Sequence, residues 1–370
     1  MYKLELRDFI LSHDNWEELL TADPYNLKIS RDGDYIMFKY NQIASDFNIP
    51  LVREARGIIL DEKNWDCACH PFNKFGNYGE SYCPNIDWNT ASVQEKIDGS
   101  LIKFWYYYGW HISTNGTIDA FKAELNNVKY QNFGQLVIDA IHKIFPDEHQ
   151  FFKLLDPNCT YMFELVSPYN RVVIPYEETK LYFLGMRDME DGDEWNPEDS
   201  DVSYFFQVPK HYNLHSLEDV QKAANNLPWD REGYVVCDGQ FNRVKIKSPA
   251  YVTAHYTVAN GVITKKKLLK VILAHEEEEF LVYCPEYKEA IDEVKEDMRE
   301  LEVECSEALR SISELPGYWR NYPRKEIFER VVSWPNPEFK YIMANYNGYV
   351  SWKDFTKNWS INKWIEMLGY

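Results

Sequence analysis

The sequence Glu95-Lys96-Ile97-Asp98-Gly99-Ser100 lies between two runs that are typical of β-strands, residues 92–97 and 101–107. Asp-Gly is a frequent turn pair, so one interpretation is a hairpin whose lysine points into solvent. A Lys-x-Asp-Gly match arises by chance in roughly one chain in ten at average residue usage. The stretch is therefore informative only if further motifs accompany it.

Three further motifs follow the Lys96 stretch in order along the chain. They are Phe163-Glu164 in a strand-like run, then Glu232-Gly233-Tyr234-Val235-Val236, then Lys245-Ile246-Lys247. Lys245 and Lys247 are two residues apart on a predicted strand, so their side chains point to the same face. A solvent-exposed charged face is the alternative interpretation of that strand. The ordered set favours a chemical site that contains Lys96.

Composition places the chain among globular proteins of two or three domains. It has 370 residues, of which 45% are hydrophobic and 27% are charged. Lys and Arg number 40 and Asp and Glu number 59, so the net charge is −19. This balance argues against a generally basic nucleic-acid-binding surface. Any site for a polyanion is therefore expected to be a local positive pocket.

Targeting and redox signals favour a cytoplasmic, intracellular protein without a membrane partner. No apolar run approaches the ~20 residues of a membrane helix, and the start of the chain does not resemble a signal peptide. The seven cysteines are an odd number, which favours reduced thiols. Cys67-Ala-Cys69-His70 invites a zinc interpretation, but a second ligand pair at suitable spacing is missing.

Short β-rich runs alternate with turn signals over residues 2–247. Strands are predicted at residues 27–30, 35–40, 56–60, 92–97, 101–107, 160–165, 180–185, 233–237 and 243–247. The Asp32-Gly33 pair predicts a hairpin between the first two strands. Helices are predicted at residues 133–144 and 217–226. This pattern is typical of an α+β domain with largely antiparallel sheets.

The sequence becomes helical from about His255 onward. Residues 265–273 predict one helix, and a long helix follows Pro285. One apolar stripe on the long helix contains Ile291, Val294, Met298, Leu301, Cys305, Leu309 and Ile312. Pro316-Gly317 is expected to end this helix, before a tail rich in tryptophan. We therefore predict a domain over residues 1–254 and an all-helical domain over residues 255–370.

The ordered motifs resemble those of the covalent nucleotidyltransferases, which comprise DNA ligases, RNA ligases and mRNA capping enzymes. The run Tyr161-Met-Phe-Glu-Leu-Val-Ser-Pro-Tyr-Asn-Arg171-Val-Val narrows the resemblance to the bacteriophage RNA ligase 1 family. Upstream segments extend it over about residues 35–285: Phe38-Lys-Tyr40-Asn41, Glu54-Ala-Arg56-Gly57-Ile58 and Pro71-Phe-Asn-Lys74-Phe75-Gly76-Asn77-Tyr-Gly-Glu80. The resemblance implies a ligase-type nucleotidyltransferase domain of antiparallel sheets with flanking helices.

The resemblance also implies a role for each matched residue. Lys96 is the implied nucleophile toward the α-phosphate of ATP. A free lysine is protonated at neutral pH, so nearby cations such as Lys245 and Lys247 are expected to favour the neutral amine. The implied contacts to the nucleotide are Arg56, Lys74, Lys245 and Lys247 at the phosphates, Glu164 at the ribose, Ile97 at the adenine, and Tyr40 and Glu232 nearby.

A divalent cation is implied as well. Glu232 is expected to orient Mg²⁺, with Mn²⁺ as an alternative, or its water shell, because hard cations prefer carboxylate and water oxygens. The acidic run at residues 276–279 lies where the family has a metal-water contact, and Glu278 is the residue that we assign to it. A solvated acidic run is an equal interpretation of this segment.

Two positions depart from the family pattern. Gly76 stands where the family usually has a second phenylalanine, so whatever that ring packs against is unfilled or supplied elsewhere. Asn115 stands at a position that is basic in some members. Asparagine keeps a hydrogen-bond donor but loses the charge, which bears on binding of a 5′-phosphate or of the nucleotide.

The implied activity is ATP-dependent sealing of RNA 5′-phosphate and 3′-hydroxyl ends through lysyl-AMP and RNA-adenylate, in repair of RNA or tRNA. The RNA is expected to be a single strand or a tRNA anticodon loop, with no obligate protein partner, and the protein could be virus-encoded. A DNA ligase or capping enzyme usually carries an OB-fold barrel after the Lys-x-Lys strand, where a helical segment is predicted here. A non-enzymatic acidic mimic of nucleic acid is the alternative from another class.

Overall fold

The computed structural model describes the whole chain except Met1, Ile43, Asn126, Val128, residues 258–263, residues 275–276, Cys284 and residues 315–318. The chain forms two compact units, Met1–His255 and Tyr256–Tyr370. Every described strand lies in the first unit, and the described elements of the second unit are helices. The predicted α+β fold with a helical C-terminal part is therefore confirmed.

One antiparallel sheet contains four strands in the order β1–β2–β3–β4: β1 (Lys28–Asp32), β2 (Tyr35–Lys39), β3 (Arg56–Asp61) and β4 (Cys67–Cys69). β1 and β2 form the predicted hairpin around Gly33, whose φ is +60°. Apolar residues of one sheet face pack against three helices: α1 (Glu5–Ser12), α2 (Trp16–Thr21) and α3 (Pro50–Glu54). The other face carries Met37 and Ile59, which pack with Trp105.

A five-stranded antiparallel sheet has the order β10–β9–β8–β6–β7: β6 (Ser100–Tyr106), β7 (Trp110–Thr114), β8 (Cys159–Val166), β9 (Lys180–Asp188) and β10 (Glu194–Trp195). Ile102 and Phe104 of β6 lie in the core that this sheet forms with α4 (Phe133–His142) and α5 (Glu148–Phe152). Leu101 and Trp105 alternate with them and belong to other apolar clusters. Both faces of this sheet therefore carry buried apolar side chains.

The sheet that carries the site has the order β11–β5–β12–β13: β5 (Ser92–Glu95), β11 (His211–Tyr212), β12 (Gly233–Cys237) and β13 (Arg243–Lys247). One face of this sheet carries Val93, Val236 and Val244, which pack with α6 (Leu217–Asn225). Because side chains alternate along a strand, Gln94, Val235 and Lys245 occupy the opposite face.

The remaining α-helices follow β13 in the chain. They are α7 (Pro249–Thr257), α8 (Lys265–Leu273), α9 (Glu277–Tyr283), α10 (Lys288–Ser313), α11 (Arg324–Val331), α12 (Asn336–Ala344), α13 (Trp352–Thr356) and α14 (Ile361–Leu368). The predicted stripe on α10 is largely buried, with Ile291, Val294 and Cys305 among its buried residues. The predicted helix stop at Pro316-Gly317 lies outside the described residues. None of the described helices is long and apolar enough to span a membrane.

Candidate active site

Lys96 lies where the chain passes from one sheet to another. β5 ends at Glu95 in one four-stranded sheet, whereas β6 begins at Ser100 in the five-stranded sheet. The Lys96 amide donates a hydrogen bond to the Gly233 carbonyl with an N···O distance of 2.9 Å, so the start of this connection is held to β12. The hairpin interpretation is therefore wrong, because the Asp-Gly pair joins two sheets.

A cavity of about 780 Å³ lies beside Lys96 in the first unit. Four residues that the sequence assigned to nucleotide binding or catalysis line it: Arg56, Lys96, Ile97 and Glu164. The connection after β7 adds residues 114–117 to the wall, among them Asn115. The volume falls in the range of about 300–1,000 Å³ that is usual for small-ligand sites. The cavity is therefore large enough to take a nucleotide.

Lys96 forms an ion pair with Glu232, one of the predicted site residues. Its Nζ lies 2.7 Å from Oε1 of Glu232, whose side chain is 5% exposed, while the Lys96 side chain is 21% exposed. The other carboxylate oxygen, Oε2 of Glu232, is buried and has no hydrogen-bond partner among the described residues. A buried carboxylate oxygen without a partner fits a divalent cation that keeps most of its waters.

Glu164 lies on β8 opposite Leu101 of β6 and lines the same cavity. Burial raises the pKa of the Glu164 carboxyl to about 7; the Lys96 ammonium opposes this rise and the Glu232 carboxylate adds to it. The three charged groups therefore interact within one site. Glu164 changes its protonation state near neutral pH, whereas an ordinary glutamate does so well below it.

The cations of β13 lie on the sheet face that borders the cavity. Lys245 is opposite Val235, and Val235 is opposite Gln94; both of these neighbours line the cavity. Residues paired across antiparallel strands share a face, so the side chains of Lys245 and Lys247 lie on the same sheet face as Val235 and Gln94. The wall, as traced by the described residues, does not include either lysine.

An aromatic ring joins Arg56 to β13. The Phe75 ring has the Arg56 guanidinium 5.1 Å from its centroid and the Lys245 ammonium 5.6 Å from it. Arg56 lines the cavity, and its Nη1 is buried without a hydrogen-bond partner among the described residues. A buried guanidinium nitrogen that lacks an acceptor fits an anionic ligand such as a phosphate.

Lys74 and Tyr40 form a separate cluster. The buried Lys74 ammonium lies 5.3 Å from the Tyr40 ring centroid and 5.0 Å from that of Phe47. Such cation–π contacts stabilise the buried ammonium. Neither Lys74 nor Tyr40 is among the described residues that line the cavity. Their predicted contacts with the nucleotide remain predictions.

Two glycines of the motifs sit where a side chain does not fit. A Cβ at Gly99 would lie 2.4 Å from the Leu165 carbonyl oxygen, so the loop after Lys96 passes directly against β8. A Cβ at Gly233 would lie 2.2 Å from the Ile246 carbonyl oxygen, and the φ of Gly233 is +142°. Glycine at these points allows Lys96 and Glu232 to approach each other.

Asp98 fixes the loop between the sheets. Its buried carboxylate accepts hydrogen bonds from the amides of Val173 (2.9 Å) and Ile174 (2.7 Å) and from the Tyr251 hydroxyl (2.8 Å). These donors come from the segment after β8 and from α7. Asp98 therefore ties the Lys96 loop to two other parts of the first unit.

The structure also accounts for one of the departures from the family pattern. A Cβ at Gly76 would lie 2.6 Å from Sγ of Cys83, 2.6 Å from Oε2 of Glu80 and 2.9 Å from the Tyr82 ring. These side chains fill the place that a larger residue would need.

Asn115 lines the cavity, and its Oδ1 is buried without a partner among the described residues.

The metal assignments differ in their support. Within the described residues, no group of three or more His, Cys, Asp or Glu side chains could hold a metal ion. His70 uses Nδ1 for the Tyr2 hydroxyl (2.7 Å) and Nε2 for Oδ1 of Asn73 (3.0 Å), so it offers no free nitrogen to zinc. Glu278 is an exposed residue of α9 in the second unit, and its role at a metal remains a prediction.

Sequence reasoning missed Lys103, a fully buried lysine of β6. A signal was present: Lys103 is a single cation inside the run Leu101-Ile-Lys-Phe-Trp105. A strand with apolar residues on both faces is buried on both faces, so a lysine within it has to be buried too.

Known proteins are similar to this chain in sequence. Residues 54–251 match the profile of a protein family described as RNA ligase. The chain belongs to the RNA ligase family. The matched residues include every cavity-lining residue that was predicted from the sequence, and the predicted relation to the bacteriophage RNA ligase 1 family is confirmed.

Individual relatives of the RNA ligase family differ in length. The chain is 31% identical over 291 residues to a protein of Autographa californica nuclear polyhedrosis virus that is named as a bifunctional polynucleotide kinase/RNA ligase, covering 73% of this chain and 40% of that protein. It is 28% identical over 350 residues to an RNA ligase of Rhodothermus phage RM378, covering 76% and 78%. A solved archaeal ATP-dependent RNA ligase shares 14% identity at a TM-score of 0.45, covering 76% and 73%.

Proposed function

We propose that this protein is an ATP-dependent RNA ligase that joins 5′-phosphate and 3′-hydroxyl RNA ends. The observation that carries the proposal is the Lys96–Glu232 ion pair at the wall of a nucleotide-sized cavity, 2.7 Å between Nζ and Oε1, in a chain of the RNA ligase family. A lysine held at a cavity by a buried carboxylate is available as a nucleophile once it loses a proton.

In the first step, Nζ of Lys96 attacks the α-phosphorus of ATP. A phosphorus–nitrogen bond forms and the bond from the α-phosphorus to the bridging oxygen breaks, which releases pyrophosphate and leaves AMP on the lysine. Glu232 is the nearest acceptor for the proton that Lys96 loses, because its Oε1 already contacts Nζ.

In the second and third steps, AMP passes to the RNA and is then displaced. An oxygen of the RNA 5′-phosphate attacks the AMP phosphorus and the phosphorus–nitrogen bond breaks, which returns the lysine. The RNA 3′-hydroxyl then attacks the 5′-phosphate phosphorus, and AMP leaves. Activation matters because AMP is a far better leaving group than an unactivated phosphate oxygen.

The surrounding residues have separate roles in this proposal. Arg56, Lys245 and Lys247 stabilise the charge that builds up on the leaving pyrophosphate, and Lys74 contributes from its aromatic cluster. Glu164 accepts from the ribose hydroxyls, and Ile97 offers its backbone to the adenine, with Tyr40 nearby. Both Glu164 and Ile97 line the cavity, which supports these assignments.

A divalent cation, Mg²⁺ or Mn²⁺, fits the orphaned Oε2 of Glu232. When bound, the cation would neutralise phosphate charge. Glu278 is proposed as a second contact through water, and the charge of the acidic run at residues 276–279 supports it.

The RNA substrate is proposed to be single-stranded or a tRNA anticodon loop, as part of RNA or tRNA repair. The helical unit Tyr256–Tyr370 is proposed to select it, because every nucleotide motif lies before Ser248. The match covers 40% of the relative from Autographa californica nuclear polyhedrosis virus, so the activity of the whole protein is part of the proposal.

Incubation with α-³²P-labelled ATP and Mg²⁺, followed by denaturing electrophoresis, tests the proposal. We expect a covalent label that is released as AMP when 5′-phosphorylated single-stranded RNA is added. GTP as the label donor is the matched control, because a capping enzyme uses GTP. A chain that takes no label from either nucleotide would contradict the enzyme proposal and favour the acidic mimic.

A further inference from the structure

Lys103 is a buried cation that none of the sequence motifs includes. Its side chain is 0% exposed, in the middle of β6. Ile102 and Phe104 on either side belong to the core with α4 and α5, so Lys103 points the other way, with Leu101 and Trp105. On that side Trp105 packs with residues of β2, β3 and β4. The ammonium therefore lies between two sheets.

The Lys103 ammonium touches the segment that carries Arg56. Its Nζ donates a hydrogen bond to the Gly57 carbonyl. Gly57 has a φ of +80°, and a Cβ there would lie 2.8 Å from the Asn115 carbonyl oxygen and 3.1 Å from the Lys103 Nζ. Lys103 and Gly57 are thus packed together against Asn115, which lines the cavity.

Arg56 and Asn115, two residues of the cavity wall, each carry a buried polar atom that bears on ligand binding. Among the described residues, Nη1 of Arg56 and Oδ1 of Asn115 are buried without a hydrogen-bond partner, and both residues line the cavity. Native proteins seldom leave buried polar atoms unpaired, so such atoms at a cavity indicate a polar ligand. An anion would satisfy the guanidinium.

The main charged neighbours of Lys103 among the described residues are Cys69, Lys39, Arg56 and Cys67, none of them a carboxylate. A buried ammonium without a counter-ion costs stability, so its presence calls for a reason other than folding. Burial lowers the pKa of Lys103 to about 8 against the opposing effect of Cys69, and Lys39 and Arg56 lower it further.

We propose that Lys103 is a positioning residue for the phosphates of the nucleotide. Its hydrogen bond to the Gly57 carbonyl holds the backbone of Arg56, so that the guanidinium stays at the cavity wall. The geometry that carries this role is the hydrogen bond to Gly57, next to Arg56 in the chain, together with the place of Arg56 in the cavity lining. This inference rests on the proposed function, because it assigns the anion to ATP.

Equilibrium binding of α,β-methylene ATP to the full-length chain tests this role without catalysis, since the methylene bridge prevents transfer of AMP. Lys103→Met keeps the side-chain volume but removes the charge and the hydrogen bond. We expect its Kd to rise about tenfold, as for loss of one charged hydrogen bond. Phe104→Leu is the matched control, because it alters the adjacent buried residue on the opposite face of β6. Its Kd should change less than twofold.

A double-mutant cycle separates positioning from general damage. In the background of Arg56→Gln, Lys103→Met should change the Kd less than twofold, because the group that it positions is already missing. An equal loss in both backgrounds would overturn the proposal. If circular dichroism shows that Lys103→Met is unfolded, Lys103→Gln enters the same cycle; it keeps a donor for Gly57, and we expect a loss of about threefold.

The wild-type chain distinguishes the two levels of inference. Binding and labelling by wild type together with normal binding by both Lys103 variants would overturn only the role of Lys103. A wild-type chain that neither binds the analogue nor takes label from ATP would overturn the proposed function, and the role of Lys103 with it.

Discussion

Replacing Lys96 by alanine removes the amine that is proposed to carry AMP. We expect Lys96→Ala and Lys96→Arg to take no label from α-labelled ATP, because alanine has no nucleophile and a guanidinium stays protonated. The buried Glu232 loses its ion-pair partner in the alanine variant, so the melting temperature should fall without loss of the fold. Circular dichroism checks the fold.

The same variant separates the steps of the reaction. Sealing of pre-adenylylated RNA needs only the last step, so Lys96→Ala should retain much more of this activity than of sealing of 5′-phosphate RNA. Gel analysis of both reactions with wild type as the reference gives the comparison. If the two activities fall equally, the three-step assignment is wrong.

Glu164 predicts a pH effect on stability that Glu164→Gln removes. The pKa of this carboxyl is raised to about 7 by burial, so the folded state binds the proton more tightly than the unfolded state does. Its contribution to the free energy of unfolding is therefore present below about pH 4.5 and is lost as the pH rises through about 7. The Gln variant should match wild type at pH 5 and melt at a higher temperature at pH 8. A constant difference over this range would contradict the raised pKa.

At the residue scale, the sequence pointed to four residues that the structure brings together, while their roles toward a nucleotide remain predictions. Lys96, Ile97, Glu164 and Arg56 were assigned from the resemblance, and the structure places all four at one cavity. Lys103 was missed because its role depends on contact with Gly57, which is distant in sequence. Nothing in a local pattern specifies which backbone carbonyl a buried ammonium reaches.

At the scale of elements, the β13 face and its neighbours predict a localised phosphate pocket. Neutralising Arg56, Lys74, Lys245 or Lys247 by Gln or Met should lower the labelling rate about a hundredfold, the usual cost of losing one stabilising group. The matched controls are Lys265→Met and Lys266→Met in α8 of the second unit, with an expected change below twofold. Initial rates with α-labelled ATP provide the measurement, and similar losses at all six positions would indicate a diffuse electrostatic effect instead.

The strands themselves were predictable, but their partners were not. The runs at residues 92–97 and 101–107 read as adjacent strands of a hairpin, because Asp-Gly has the same local turn preference in either setting. The structure assigns them to different sheets. Partner choice depends on long-range burial: β5 pairs with β12 by four residues, and β6 pairs with β8 by five. A sequence window does not contain that information.

At the scale of the whole molecule, the two compact units predict a division of labour. A fragment that ends at His255 keeps Lys96, Glu232 and the cations of β13, and we expect it to form the labelled lysine while it loses preference among RNA substrates. A second fragment that ends at Tyr283 adds α9 with Glu278. Faster labelling by the longer fragment is expected if Glu278 contributes to the metal.

These fragments need a folding control before activity is compared. Gel filtration and circular dichroism show whether removal of α10 exposes an apolar surface that causes aggregation. Glu278→Gln in the full chain tests the same carboxylate as the longer fragment does, without truncation. A folded fragment that takes no label, or one that labels and keeps the substrate preference of the full chain, would contradict the division of labour.

The Asp98 carboxylate also has a consequence for amide hydrogen exchange. The amides of Val173 and Ile174 are held by one carboxylate, which also binds the Tyr251 hydroxyl of α7. Their exchange with deuterium therefore requires the Lys96 loop to separate from two other segments at once, as one cooperative opening. In mass spectrometry, peptides that contain these amides should exchange together and slowly, and Asp98→Asn should speed both by the same factor. Opening of this kind would report how often the nucleophile leaves its working position.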